Sequence, residues 1–263
     1  MSDSVLVTRA GPVAEIRLHR PAVHNAFDDA LIADLTAALV DCELDANVRA
    51  VVLTGSGTSF SAGADLNWMR GMAKASEAEN QADALRLAAL MRTLNFLAKP
   101  TIAKVNGAAY GGGVGLVACC DIAIAAETAK FSLSEVKLGL VPAVISPYVV
   151  AAIGLRQARR YFTSGEVFDA ATAARIGLLH ESVAADQLDA AVDRAVHFLG
   201  KGGPLAQGEA KQLALRVAGV TRESAERIDI ENARLIAHLR VSDEGQRGLA
   251  AFLDKRAPYW VKE

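Results

Sequence analysis

The chain has 263 residues, 52% of them hydrophobic, and a net charge of -2. That length bounds it to one large domain or two small ones with a substantial core. The charge offers no basic field for a nucleic-acid backbone, and an aromatic content of 5% suits helix packing better than base stacking.

The first residues, MSDSVLVTRAG, lack the basic start and apolar run of a secretion signal. Val5–Val7 and Val13–Leu18 alternate apolar and polar positions around Ala10-Gly11-Pro12, which predicts a hairpin. Asp28 then caps a helix with an apolar stripe at Leu31, Ile32, Leu35, Leu39 and Val40. Val48–Leu53 predicts a buried strand, and 71–97 one long helix with a mobile start. Thr101–Val105 is a strand, Gly112–Cys120 a short helix, Asp121–Ala125 and Lys130–Leu133 two more strands. The longest apolar run, 139–153, is broken by Pro142 and Pro147 and is too short to cross a bilayer. From Leu155 onward the pattern is helical, with a strand-like break at His180–Val183 and a Gly/Pro punctuation at 200–204. Charges of alternating sign over 208–254 suit a solvated or subunit-facing surface. Cys42, Cys119 and Cys120 form no disulfide framework, and a cytoplasmic location is expected.

Two glycine-bearing turns carry the chemistry. Ser61-Ala62-Gly63-Ala64-Asp65-Leu66 follows the apolar run Ala50–Leu53, and Gly111-Gly112-Gly113 follows Ile102–Val105. Glycine lets backbone pass close to a ligand. Two such turns on neighbouring strands can aim two free N–H groups at one point, as an oxyanion hole requires. No ligand cluster has zinc spacing and no dinucleotide fingerprint is present, so neither a metal nor a separate cofactor is expected.

The segments FSAGADL (60–66), NGAAYGGGVGLVACCDIAIA (106–125) and FSLSEVKLGLVP (131–142) resemble the enoyl-CoA hydratase/isomerase (crotonase) family. LHRPAVHNAF (18–27) and AFLDKR (251–256) extend the resemblance over nearly the whole chain. It implies an α/β fold, a spiral of ββα units over 1–200 and a helical module over 201–263 for trimerisation. Coenzyme A would enter only as part of an acyl-CoA thioester substrate, and a homotrimer or homohexamer is the implied assembly.

By the resemblance, the N–H groups of Ala64 and Gly112 hold the thioester oxygen and Glu135 is the catalytic carboxylate. Burial beside Leu and Val would raise the pKa of Glu135 toward useful acid–base range. Ala62, Asp65 and Leu66 match the strand edge that receives adenine, and His24 lies in the loop 20–24 over the pantetheine and phosphates. Lys255 and Arg256 match a basic pair that reaches a CoA phosphate. Asn67-Trp68-Met69-Arg70 resembles a subset acting on branched, carboxylated acyl chains such as 3-methylglutaconyl-CoA, in leucine or terpene catabolism. Arg70 or Lys74 is the expected partner of the extra carboxylate.

One position departs from the pattern. Hydratases of the family carry a second glutamate two residues after the glycine triplet, where this chain has Gly115. Ser134 and Ser146 could orient water but are weak acids. Three readings stay open: Glu135 performs both proton transfers, another residue substitutes, or the reaction is a double-bond shift needing one base. Hydration is favoured, isomerisation is the alternative, and a non-catalytic CoA-ester or RNA-binding protein is a more distant third that the net charge disfavours.

Overall fold

The computed structural model describes residues 4–262. Its first strands, β1 (Val5–Ala10) and β2 (Val13–Leu18), form the expected antiparallel hairpin, turned at Gly11 with φ +57°. Ala14, Ile16 and Leu18 point into the core at the two-residue period of a strand. Helix α1 (Asp29–Leu44) starts where the Asp28 side chain accepts the Leu31 N–H at 2.8 Å. Its buried face carries Leu31, Ile32, Leu35 and Leu39. Val40 is exposed, a correction to the expected stripe. At about 100° per residue it has turned to the face opposite Leu31.

The chain then winds as a spiral that lays one strand in each of two sheets per turn. The first turn is β3 (Ala50–Gly55), β4 (Ser59–Ser61), α2 (Leu66–Lys74) and α3 (Glu77–Asn95). The second is β5 (Thr101–Val105), β6 (Ala108–Tyr110) and α4 (Gly112–Cys119). The third is β7 (Ile122–Ala126), β8 (Lys130–Ser132), a 3-10 turn at Glu135–Leu138 and α5 (Ser146–Ser164). The strand β9 (Phe168–Asp169), helix α6 (Ala170–Arg175), strand β10 (Glu181–Val183) and helix α7 (Leu188–Leu199) follow. The larger sheet has the order β1-β2-β3-β5-β7-β10 and the smaller β4-β6-β8-β9. All pairs are parallel except β1–β2 and β8–β9.

Both faces of the large sheet are covered, which is why its strands read as nearly continuous apolar runs. Val51, Leu53, Ala103 and Val105 join the main core. Val52, Ile102 and Ile124 join a smaller cluster with Leu188 and Val192 of α7.

Residues 71–97 are not one helix. Helix α2 begins earlier, at Leu66, and ends at Lys74. Ser76 caps α3 in a reciprocal box with Glu79, accepting its N–H at 3.3 Å and giving its own at 2.7 Å. Three more helices complete the chain: α8 (Pro204–Val217), α9 (Arg222–Val241) and α10 (Asp243–Leu253). Ala233 and Ile236 of α9 and Leu249 of α10 belong to the main core cluster. Ion pairs Arg92–Asp229 and Arg240–Asp83 tie α9 to α3. Helix α8, by contrast, has no buried residue.

Candidate active site

Register brings the two glycine turns together. Ser61 of β4 pairs with Ala109 of β6, which pairs in turn with Phe131 of β8. Three parallel strands therefore end at one edge. Ala64 and Gly112 each lie three residues beyond that register row, and Glu135 lies four beyond it.

Contact between the turns is backbone on backbone. A Cβ on Gly63 would stand 3.0 Å from the Tyr110 carbonyl oxygen, and one on Gly113 would stand 2.8 Å from that of Ser61. Gly63 and Gly111 also hold φ values of +84° and +48°, which side-chain-bearing residues rarely adopt.

Phe27 sets the first turn by donating its N–H to the Gly63 carbonyl at 2.6 Å and accepting the Asp65 N–H at 2.9 Å. Ala64 lies between those bonds, and its own N–H donates to no group among the described residues. The same is true of Gly112, the first residue of α4, where the helix dipole adds partial positive charge. Both residues line one cavity of about 400 Å³, together with Ala62, Glu135 and the apolar Met69, Leu87, Leu140 and Ile236.

Glu135 opens its 3-10 turn directly after β8. Its Oε1 would lie 3.1 Å from a Cβ on Gly111, so the glycine makes room for the carboxylate. Its Oε2 is buried with no hydrogen-bond partner among the described residues. Burial raises its pKa from 4.5 to about 7, because a desolvated carboxylate resists ionising. Helix α10 braces the turn from behind. Gly139 and Gly248 allow approaches in which a Cβ would stand 2.8 Å from the Glu244 carbonyl oxygen and 2.2 Å from that of Leu138.

Gly115 faces apolar side chains. A Cβ there would stand 2.3 Å from Cγ2 of Ile145 and 3.2 Å from Cε of Met91. No carboxylate fits at this position without displacing Ile145. Ser134 lines the cavity, whereas the Ser146 hydroxyl is given to the Ala143 carbonyl at 2.7 Å.

Other sequence candidates fall outside the cavity lining. The buried Asp65 caps α2, accepting the Asn67 N–H at 2.7 Å, and pairs with Arg20 at 3.1 Å. Leu66 is exposed. His24 takes a left-handed conformation and bonds Ser59 Oγ through Nδ1 at 3.1 Å. Arg70 is exposed and bonded to Asn67 at 2.8 Å, and Lys74 is also exposed. Lys255 is exposed at φ +54°, while its neighbour Arg256 lines the cavity. Sequence reasoning missed Arg240 and the cavity-wall role of Trp68, both in the lining. The signal for Trp68 was the spacing of Trp68, Met69 and Met72, which marks the inward face of α2 and leaves Arg70 outside.

No helix among the described residues is long and apolar enough to cross a membrane. The family model for enoyl-CoA hydratase/isomerase matches residues 8–263. The chain is 34% identical over 259 residues to the 2,3-dehydroadipyl-CoA hydratase of Escherichia coli, covering 97% of this chain and 98% of that one. Among solved structures, an enoyl-CoA hydratase from Shewanella pealeana is 44% identical with a TM-score of 0.80, covering 98% of this chain and 96% of its own. One from Mycobacterium avium is 36% identical with a TM-score of 0.88, covering 99% and 100%. Sequence, fold and the arrangement of strand ends thus agree: the chain belongs to the enoyl-CoA hydratase/isomerase family.

Proposed function

We propose that the protein adds water reversibly to a 2-enoyl-CoA whose acyl chain is branched or carboxylated, as in 3-methylglutaconyl-CoA. The observation that carries this reading is one buried carboxylate, Glu135, sharing a cavity with two unengaged N–H groups, those of Ala64 and Gly112. In the reaction, the thioester oxygen accepts both N–H groups. Ionised Glu135 takes a proton from water as its oxygen bonds to C3 of the enoyl chain. The C2–C3 π electrons move toward the thioester oxygen, and the resulting enolate is stabilised by the two donors. The carboxyl of Glu135 then returns the proton to C2, so one water is consumed and the enzyme is regenerated. A donor of this kind contributes roughly 3–4 kcal/mol to lowering the barrier. Coenzyme A enters as part of the substrate, with Ala62 and Arg256 at the cavity lining. The E. coli relative named for 2,3-dehydroadipyl-CoA supports a carboxylated chain, since a dehydroadipyl chain ends in a carboxylate.

A double-bond shift by Glu135 alone is the second reading. What favours it is the Ile145 side chain against Gly115, which leaves one carboxylate to serve both carbons. Oxygen-labelled water separates the two. The parent and Glu135→Gln would be incubated with 3-methylglutaconyl-CoA and crotonyl-CoA. Labelled 3-hydroxyacyl-CoA from the parent and not the variant is the expected result. Product without label would give the reaction to the isomerase.

Assembly into a trimer or a dimer of trimers belongs to the same proposal. Its support is α8, where Leu205, Leu213 and Val217 are 78%, 49% and 79% exposed. Apolar exposure of that kind calls for a covering subunit.

A further inference from the structure

Met69, Met72, Leu87 and Ile236 line the cavity together with Arg240, one of three cationic residues in the lining beside Lys137 and Arg256. Three neighbours fix the Arg240 guanidinium. Its Nη1 donates to Asp83 Oδ2 at 3.0 Å and to Asn80 Oδ1 at 3.3 Å. Its Cζ lies 5.7 Å from the centre of the Trp68 ring. Asn80 and Asp83 are fully buried on α3, and Asn80 is itself anchored by donating to the Met72 and Ala75 carbonyls at 3.0 and 3.1 Å. Arg240 is therefore held between α2, α3 and α9 before any ligand arrives.

Hydrogen-bond donors are left over at this point. Asp83 also accepts from Arg86 at 3.1 Å, so one carboxylate serves two arginines. Arg86 finds further compensation at the surface from Asp29. Arg240 has no second acid, and its Nε and Nη2 donate to no group among the described residues. The side chain is 14% exposed, and it lines the cavity. In the same wall the buried Trp68 indole N–H lacks an acceptor among the described residues. A neutral alkyl chain packed here would strip water from unpaired cationic donors and offer nothing in return. A carboxylate would meet two N–H groups in the planar fork that suits it.

Resting on the reading of the cavity as an acyl-CoA site, we infer that Arg240 is its specificity residue, recognising a carboxylate on the acyl chain remote from the thioester. The role expected of Arg70 passes to Arg240, which reaches the cavity from a helix 170 residues further along the chain.

Binding of unreactive saturated thioesters tests this without turnover. Glutaryl-CoA would be compared with valeryl-CoA, and adipyl-CoA with hexanoyl-CoA, by calorimetric titration of the full chain. The parent is expected to bind the carboxylated member of at least one pair about tenfold more tightly, in keeping with a charge-assisted bond. Arg240→Gln should abolish that preference, and Arg240→Lys should retain part of it. Where Arg240→Gln fails to fold, loss of preference with rising salt in the parent and its partial retention in Arg240→Lys serve instead. Equal binding within both pairs by the parent overturns the inference. So does an equal loss for both members of a pair in the variants, which would make Arg240 a ligand of the CoA moiety. Binding of no thioester at all would overturn the acyl-CoA reading together with it, a preference kept in Arg240→Gln would overturn the inference alone, and a preference lost in Arg240→Gln without hydration by the parent would leave Arg240 assigned and remove only the hydratase.

Discussion

Glu135 is held in a conflict that shows in both rate and stability. Between 4.5 and about 7 the folded protein keeps a proton on this carboxyl that the unfolded chain has already lost. Stability therefore falls as pH rises through that interval, and the deficit is complete above about 7. A shift of this size corresponds to about 3 kcal/mol. Glu135→Gln should accordingly resist urea better than the parent at pH 8 and equal it near pH 4; the same difference at both would contradict the assignment. Hydration should behave oppositely, with kcat/KM rising through about pH 7 as the base ionises and falling about 10²–10⁴-fold in Glu135→Gln. Gly115→Glu alone should destabilise by about 1–3 kcal/mol through overpacking against Ile145 and give no faster hydration. Pairing it with Ile145→Ala should raise the hydration rate above that of either single variant. The glycine turns can be marked in the sequence because a missing Cβ is a local property, whereas Glu135 is singled out only through the family resemblance, since a carboxylate after a short strand is by itself an ordinary surface feature. Arg240 is legible by neither route, since nothing near Ile236 or Leu239 in the sequence says that α3 has brought Asn80 and Asp83 alongside.

Helix α2 is a wall of the cavity and a continuation of the first glycine turn. Its cap, Asp65, immediately follows Ala64, so loosening the cap loosens the Ala64 N–H. Asp65→Ala is expected to cost about 1–2 kcal/mol from the lost cap and to leave Arg20 with Asp28 as its remaining acid among the described residues. It should also lower kcat, whereas Ser76→Ala, at the far side of α2, should cost about 1 kcal/mol with a smaller effect on rate. Urea titrations and steady-state rates on the two variants separate the effects. The boundary at Ser76 was written in the sequence as Ser-x-x-Glu before an apolar run. The expectation of one helix over 71–97 runs straight across it. Strands β4 (Ser59–Ser61) and β6 (Ala108–Tyr110) run directly into the glycine turns, and the sequence reading does not separate them from those turns.

At the scale of the molecule, α9 and α10 close the cavity of their own chain while α8 turns its apolar side chains outward. The proposed trimer makes a prediction here. Sedimentation should give three or six times the 27.6 kDa chain mass. Leu205→Glu with Val217→Glu should shift the protein toward monomer, and an unchanged mass would move the interface elsewhere. The helical content of this region was legible from composition and charge alternation. That two of its helices serve the site and one does not depends on pairings such as Arg92–Asp229 and Arg240–Asp83, which join residues far apart in the chain.

The distance between the two donors at the site is ruled by main chain against main chain, Gly63 on Tyr110 and Gly113 on Ser61. Provided the Asp65 cap is kept, side-chain changes on the cavity-facing positions of α2, α3 and α9 leave that ruler alone. Heredity can thus retool the chemistry of the acyl end one residue at a time without recalibrating the reaction centre. A laboratory that wishes to redirect this protein to a new thioester has the same division to exploit: leave the turns alone and rewrite positions 69, 72, 87, 236 and 240.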